Sequence, residues 1–218
     1  MIYRTIIILL LITTNVYATT IEKNHLEPAL SVFTGFNIIT EYQSDLVKLF
    51  SKAFDANVKI RTIVIPSFEP EYVIGIRERD NKYFAFKLSA KTQYWVVYRE
   101  TKVEKTIDIA SQKKVEVSEA EVEITKQAYK ILDESWHQMI RRTKYYNDTY
   151  GRGLDGTSYH FSASRLLTGY AWSPKPNTQT GYLVKLAELL GQLTEVKDSK
   201  NIEKQLIDTG TRLLRSLK

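Results

Sequence analysis

One short segment of the chain contains the residue types of an Asp-His-Ser hydrolytic triad. They are Asp155, His160 and two alternative serines, Ser158 and Ser162. The alternation around them predicts a strand over residues 157–164, with Tyr159 and Phe161 on the core face and the serines and His160 on the other. Strand neighbours two positions apart lie roughly 6–7 Å apart with parallel side chains, which is poor geometry for proton transfer. No Gly-x-Ser-x-Gly nucleophile turn occurs either.

This predicted strand is therefore interpreted as a polar recognition face rather than a catalytic one. Trp172 follows on the predicted partner strand and would supply apolar contact area beside the polar groups. The predicted binding residues here are Asp155, Ser158, His160, Ser162 and Trp172. The alternative is that His160 fills an ordinary polar position.

A second candidate site is the pair Glu69 and Glu71, which flank Pro70. Paired carboxylates can perform acid–base chemistry on glycosides or bind a metal ion. The proline predicts a turn that enters a strand, and no second type of metal ligand lies nearby in sequence. Both glutamates are kept as candidate binding residues, with a solvated turn as the alternative.

Composition excludes several chemistries. The chain has no cysteine, so disulfides, cysteine nucleophiles and iron–sulfur clusters are ruled out. It has 3 histidines and no His-Glu-x-x-His motif. The glycine-rich segment 151–156 follows a predicted helix and precedes a strand, the reverse of a dinucleotide-binding loop. The sequence thus predicts neither a cofactor nor a metal site.

The charge balance is modestly basic, with 31 Lys+Arg against 25 Asp+Glu and a net charge of +6. The closest basic runs are Arg141-Arg142-Lys144 and the tail that contains Arg212, Arg215 and Lys218. Cations suit a helix C-terminus, which explains the first run without nucleic acid. Anionic lipid headgroups, cell-wall polymers or an acidic protein are the favoured partners, and the 14 tyrosines and 3 tryptophans suit a protein interface.

The N-terminus has the pattern of a secretory signal peptide over residues 1–18. Arg4 precedes an apolar run, residues 6–12, and Val16-Tyr17-Ala18 provides a cleavage site. The run is well short of the ~20 residues that span a bilayer. A retained membrane anchor or a buried helix is the alternative. A cysteine-free exported protein favours a bacterial periplasmic or secreted location, with no transmembrane anchor after cleavage.

The elements that must position these residues follow from periodicity. The pattern predicts a helix near 41–55, a strand at 58–65 and a hairpin over 71–89 with Asp80-Asn81 at its turn. Further strands are predicted at 94–99, 103–109 and 115–124, the last with either a bulge near Ser118 or an earlier helix start. A helix after Thr125, the strands 157–164 and 169–172, and two C-terminal helices complete the chain.

Sequential strands with short turns and segregated helices predict an α+β fold, with an antiparallel sheet of about five to seven strands and a C-terminal helical pair. No linker or repeat interrupts residues 19–218, so one domain is expected. The last helix, residues 199–218, is either part of that domain or a mobile appendage to it.

Three segments together resemble small exported bacterial proteins that are uncharacterised. They are Pro66–Tyr72, the Trp136 helix ending in Arg142-Thr143-Lys144-Tyr145, and Gly153–Ser162 followed by Trp172-Ser173-Pro174. The resemblance implies an envelope location. It implies no activity and supplies no catalytic residue.

Two functions from different classes remain at this point. The first is a non-catalytic periplasmic binding protein, of the inhibitor or immunity type, whose partner is another envelope protein or a cell-wall polymer. The second is a hydrolase acting on cell-wall material through Glu69, Glu71, Asp155 or His160. The oligomeric state does not follow from the sequence.

Overall fold

A computed structural model describes residues 21–29, 37–103, 115–145, 155–163, 167–196 and 199–218 of the chain. The predicted signal peptide, most of the strand predicted at 103–109, and Gly151 and Gly153 lie outside these residues. The strands are β1 Val58–Pro66, β2 Tyr72–Arg79, β3 Lys82–Ala90, β4 Val117–Ile124, β5 Thr157–Ser162 and β6 Thr168–Trp172. The helices are α1 Asn37–Leu49, α2 Tyr94–Tyr98, α3 Lys126–Arg141, α4 Gln179–Leu193 and α5 Lys200–Ser216, with a 3-10 turn at Ser51–Phe54 and a π turn at Arg99–Val103.

The six strands form one antiparallel sheet in the order β4-β3-β2-β1-β5-β6. The predicted α+β class and the C-terminal helical pair are therefore confirmed. The predicted β2–β3 hairpin is also present. Its two turn residues, Asp80 and Asn81, have φ angles of 53° and 61°. Positive φ at both central positions is the geometry that a two-residue hairpin turn requires, and Asp and Asn tolerate it better than most residues.

Two predicted details of the sheet are wrong. The pattern predicts a strand over residues 94–99, yet Tyr94–Tyr98 is a helix. The aromatic and β-branched composition favours a strand, but a tertiary contact at the helix N-terminus overrides that preference. In β4 the register against β3 is uninterrupted from Val117 to Ile124, so neither the bulge nor an earlier helix start occurs.

The changed alternation in β4 has a simple cause, because the two faces of the sheet are both covered by apolar layers. Val117 packs against one layer, whereas Val122 and Ile124 pack against the other. Apolar residues at both parities therefore belong to one regular strand.

The first layer consists of α3, α4 and α5 on what we call the α3–α5 face of the sheet. Its buried side chains are mostly aliphatic, with Trp136 at its centre, 1% exposed and packed edge-on against Phe161 at 5.9 Å between ring centroids. The helix predicted after Thr125 is present as α3, and Thr125 caps it by accepting the N–H of Ala128. Leu206 and Leu213 of α5 are fully buried, so the last helix packs within this layer.

The second layer consists of α1, the 3-10 turn and α2 on the opposite α1–α2 face. Its core is more aromatic and includes Tyr42, Phe50, Phe86 and Tyr98. Towards the β4 edge this face carries three glutamates, which pair with basic side chains of neighbouring elements: Glu119, Glu121 and Glu123 with Lys52, Arg77, Arg79 and Lys82. Charges along an edge strand discourage pairing with a foreign strand.

No helix in the described ranges is both long enough and apolar enough to cross a membrane.

Candidate binding surface

One end of the sheet brings the two candidate segments of the sequence together. β1 ends where β5 begins, with Pro66 paired to Thr157, and β6 ends beside them, with Trp172 paired to Ser158. We call the four segments 67–71, 91–95, 155–157 and 172–173, with the surface they form, the loop end. These segments contain four predicted site residues: Glu69, Glu71, Asp155 and Trp172.

Hydrogen bonds from Ser67 connect three of these loops. The Ser67 N–H donates to the carbonyl of Gly156 at 3.0 Å, and the Gly156 N–H donates to Ser67 Oγ at 3.0 Å. The carbonyl of Ser67 accepts from Gln93 Nε2 at 2.9 Å. Two hydrogen bonds between Thr157 and Ser173 join the fourth segment, residues 172–173, to the segment 155–157. The loop end is therefore a cross-linked backbone rather than a set of independent loops.

Gly156 is required here for space. A Cβ atom at this position would lie 2.7 Å from the Trp172 ring and 2.4 Å from Ser173 Oγ. The indole of Trp172 thus lies directly over the backbone of the β5 entrance, which fixes its position at the loop end.

Glu71 lies inside the protein, with no exposed surface. Its Oε1 accepts from the Tyr42 hydroxyl at 2.6 Å and from the Trp95 N–H at 2.8 Å, and its Oε2 accepts from the Tyr94 N–H at 2.6 Å. The carboxylate therefore binds the free N–H groups that begin α2, which explains why a helix forms there. It also differs from the surface carboxylate expected from the sequence.

An aromatic cluster surrounds this buried carboxylate. The Tyr42 ring lies 5.1 Å from Trp95, 5.5 Å from Tyr98 and 5.9 Å from Tyr94, measured between centroids. Burial, together with the charge of Glu71, raises the pKa of Tyr42 well above its ordinary value. The phenol therefore keeps its proton and serves as a donor to Glu71.

Glu69 lies in different surroundings from Glu71, because its side chain is exposed. With both Glu71 oxygens occupied by donors from the protein, the two carboxylates do not form an acid–base pair. Among the described residues, no group of three His, Asp or Glu side chains lies close enough together to hold a metal ion.

The polar face of β5 has the predicted parity but not the predicted exposure. Ser158, His160 and Ser162 share a face, yet Ser162 is 6% exposed and His160 is partly buried. The His160 ring lies 5.0 Å from that of Tyr170, and Ser158 Oγ lies 3.2 Å from the Tyr170 hydroxyl. The expected outward-facing surface is therefore absent at Ser162, whereas Ser158 and His160 are partly exposed and their role in binding stays a prediction.

The chemistry of His160 follows from this burial, which lowers the pKa of the imidazole to about 4. The neutral ring is stable at physiological pH. Within the described part of the chain, His160 has no hydrogen bond to Asp155 or to either serine. The structure does not assemble these residues into a triad.

Two aromatic residues that sequence reasoning missed are the exposed large hydrophobic side chains of the loop end. Phe68 is 77% exposed and Trp95 is 36% exposed. Phe68 directly follows Ser67, whose main chain is hydrogen-bonded to Gly156 and Gln93. Exposed Glu69 lies on the same loop, and exposed Asp155 lies on the segment 155–157 that Ser67 contacts. One feature of the sequence could have indicated Phe68: it is an aromatic residue inside a predicted turn, between Ser67 and Pro70.

No family model, curated protein or solved structure matches this chain.

Proposed function

We propose that this protein is a non-catalytic binding protein of the bacterial cell envelope, of the inhibitor or immunity type, and that its loop end contacts another envelope protein. The observation that carries the proposal is Phe68, a large apolar side chain 77% exposed on a loop whose backbone is fixed by hydrogen bonds. Holding such a group in water has no benefit for folding, whereas aromatic anchors contribute strongly at interfaces.

The cross-links of the loop end favour binding for an energetic reason. Binding a partner does not carry the entropic cost of ordering these loops, because Ser67, Gly156 and Gln93 already fix them in the free protein. Trp95 and Trp172 add aromatic area at the loop end, and the carboxylates of Glu69 and Asp155 provide charged groups at its rim. Apolar anchors within a polar rim are typical of protein interfaces.

The second candidate, hydrolysis of cell-wall material, receives less support from the geometry. Both oxygens of Glu71 accept hydrogen bonds inside the protein. His160 lies against Tyr170, and no side chain of the described residues is hydrogen-bonded to it as a catalytic partner. Glu69 and Asp155 are the exposed carboxylates that remain at the loop end.

The envelope location rests on residues 1–18, whose sequence has the order of a signal peptide. We propose cleavage after Ala18. N-terminal sequencing of the exported protein should then read Thr-Thr-Ile-Glu, and recovery of Met1 in the membrane fraction would contradict cleavage.

The proposed function is tested by capture from envelope extract, using the mature protein as bait and quantitative mass spectrometry as the readout. The test variant is Phe68→Ala. The matched control is Tyr145→Ala, which removes an aromatic ring that is 74% exposed and lies outside the loop end. A partner protein enriched by wild type and by the control, but lost with Phe68→Ala, supports the proposal.

Two results would contradict it. Equal capture by all three baits would place the interface elsewhere. Release of soluble fragments from purified cell wall by the wild-type protein, abolished in Glu69→Gln or Asp155→Asn, would establish the hydrolase instead. A cell-wall polymer that is bound without cleavage would keep the binding function and change the class of partner.

A further inference from the structure

A basic pocket of about 450 Å³ opens where four chain segments meet, away from the residues of the loop end. The segments are residues 23–25, the chain leaving α3, the first turn of α4 and the end of α5. Four of the lining residues carry a positive charge: Lys23, Arg142, Lys144 and Lys218. His25 lies beside them, and no Asp or Glu side chain of the described residues lines the pocket.

The walls of this pocket are joined by hydrogen bonds that need no ligand. Gln179, 3% exposed, donates from Nε2 to the carbonyl of Ser216 at 2.8 Å and accepts the N–H of Asn24. Arg142 donates to the carbonyl of Leu217 at the end of α5. The Lys144 N–H donates to the carbonyl of Leu26 at 3.1 Å. The cationic groups are therefore carried on a fixed frame.

The pocket gathers several cations without a carboxylate side chain beside them. Some lysines of the surface do pair with carboxylates, as Lys52 does with Glu119 and Lys87 with Glu195. Within the described ranges, Lys23, Lys144 and Lys218 form no ion pair with an Asp or Glu side chain. An anion placed among these cations would be attracted by all of them.

Helix-end electrostatics explain only part of this cluster. Arg142 follows α3 directly, and its guanidinium stabilises the carbonyl end of α5, which is an ordinary role for a cation. Lys23 and Lys144 belong to no helix. Their placement around the same cavity is accounted for if the cavity holds an anion.

We propose that this pocket binds a phosphate-class anion, either as a free phosphorylated small molecule or as the headgroup of a lipid. Lysine ammonium groups and the arginine fork are the side chains that proteins use for phosphate oxygens. The volume lies within the range of small-molecule sites. The site is independent of the proposed protein-binding surface, because the two share no residue.

The experiment measures pyrophosphate binding by calorimetry at low salt, with inorganic phosphate as a second probe. The pocket variant is Lys23→Glu/Lys144→Glu, with Lys23→Gln/Lys144→Gln as a milder version. Both lysines are exposed, so the fold is kept. The control is Lys126→Glu/Lys130→Glu, which makes the same charge change at two exposed positions of α3.

Wild type and control should bind pyrophosphate alike, and the pocket variants should bind it at least about tenfold more weakly, because each removes two charged donors to the anion. Co-sedimentation with phosphatidylglycerol vesicles identifies the source. Vesicle binding that requires Lys23 and Lys144 indicates a lipid headgroup, whereas pyrophosphate binding without vesicle binding indicates a soluble ligand. Absence of binding to phosphate, pyrophosphate and vesicles, or equal weakening in the control, would overturn the proposal.

Discussion

The two faces of the sheet are built on different principles. The α3–α5 face is covered by a large, mostly aliphatic layer whose members recur at regular helical and strand spacing. The α1–α2 face is smaller and aromatic, and it encloses the carboxylate of Glu71 together with the hydroxyl of Tyr42. The first face is dominated by apolar burial, whereas the second also encloses a buried carboxylate that accepts three hydrogen bonds.

This difference bears on function because α2, which carries Trp95, is held in place by the second kind of contact. Glu71 and its donors are separated by 29, 23 and 24 positions in the chain. The polar network therefore determines the shape of the loop end, while the aliphatic layer provides the stability that supports it. Substitutions should affect the two faces differently.

The largest effect is expected at the centre of the aliphatic layer. Trp136→Ala should destabilise the protein by roughly 3–5 kcal/mol, because it removes a fully packed indole. Trp136 Nε1 is buried and has no hydrogen-bond partner among the described residues, so packing accounts for the effect. Urea unfolding measures it, with His137→Ala on the same helix as the control. A destabilisation under about 0.5 kcal/mol, the level of a surface change, would contradict this burial.

The next effect is expected at Glu71, on the opposite face. Glu71→Gln keeps the size but places an amide N–H₂ among three donors, so it should cost about 1–3 kcal/mol. Glu69→Gln is a control only two residues away, and it should change stability by less than about 0.5 kcal/mol because Glu69 is exposed. Equal effects of the two substitutions would show that Glu71 does not cap α2.

A smaller effect should appear as a pH dependence from His160. Its folded pKa of about 4 lies below the ordinary value of 6.5, so the unfolded chain binds a proton first as the pH falls. The contribution of neutral His160 to the free energy of unfolding is fully present above about pH 6.5. The free energy of unfolding should fall by about 1–2 kcal/mol between pH 7 and pH 5. The His160→Gln variant should not show this fall in the free energy of unfolding between pH 7 and pH 5. Identical pH profiles for the two proteins would mean that His160 titrates normally.

The sequence was sufficient to predict the elements whose apolar residues recur at regular helical or strand spacing. The α3 helix, the Asp80-Asn81 hairpin and the α+β class all follow from local pattern and turn chemistry. These features need no information about distant residues.

The sequence was insufficient wherever a distant contact decides the outcome. Tyr94–Tyr98 has strand composition and becomes a helix because Glu71 binds its first N–H groups. The β5 face has the right parity, yet its burial depends on how other segments pack over it. Of the candidate site, Glu69, Asp155 and Trp172 come together at one surface, whereas Phe68 and Trp95 were not singled out by any local pattern.

The smallest effect on stability is expected at Phe68 itself. Because its ring is mostly in solvent, Phe68→Ala should change the free energy of unfolding by less than about 0.5 kcal/mol. A destabilisation above about 1 kcal/mol would show that the ring packs against the protein and serves the fold.

Whether the loop end is the binding surface is tested most directly by hydroxyl-radical footprinting of the protein alone and in complex with the captured partner. Oxidation of Phe68 and Trp95 should fall in the complex, while Tyr145, similarly open to Phe68 in the free protein, should be oxidised at an unchanged rate. Protection of Tyr145 with no change at Phe68 and Trp95 would contradict the proposed surface.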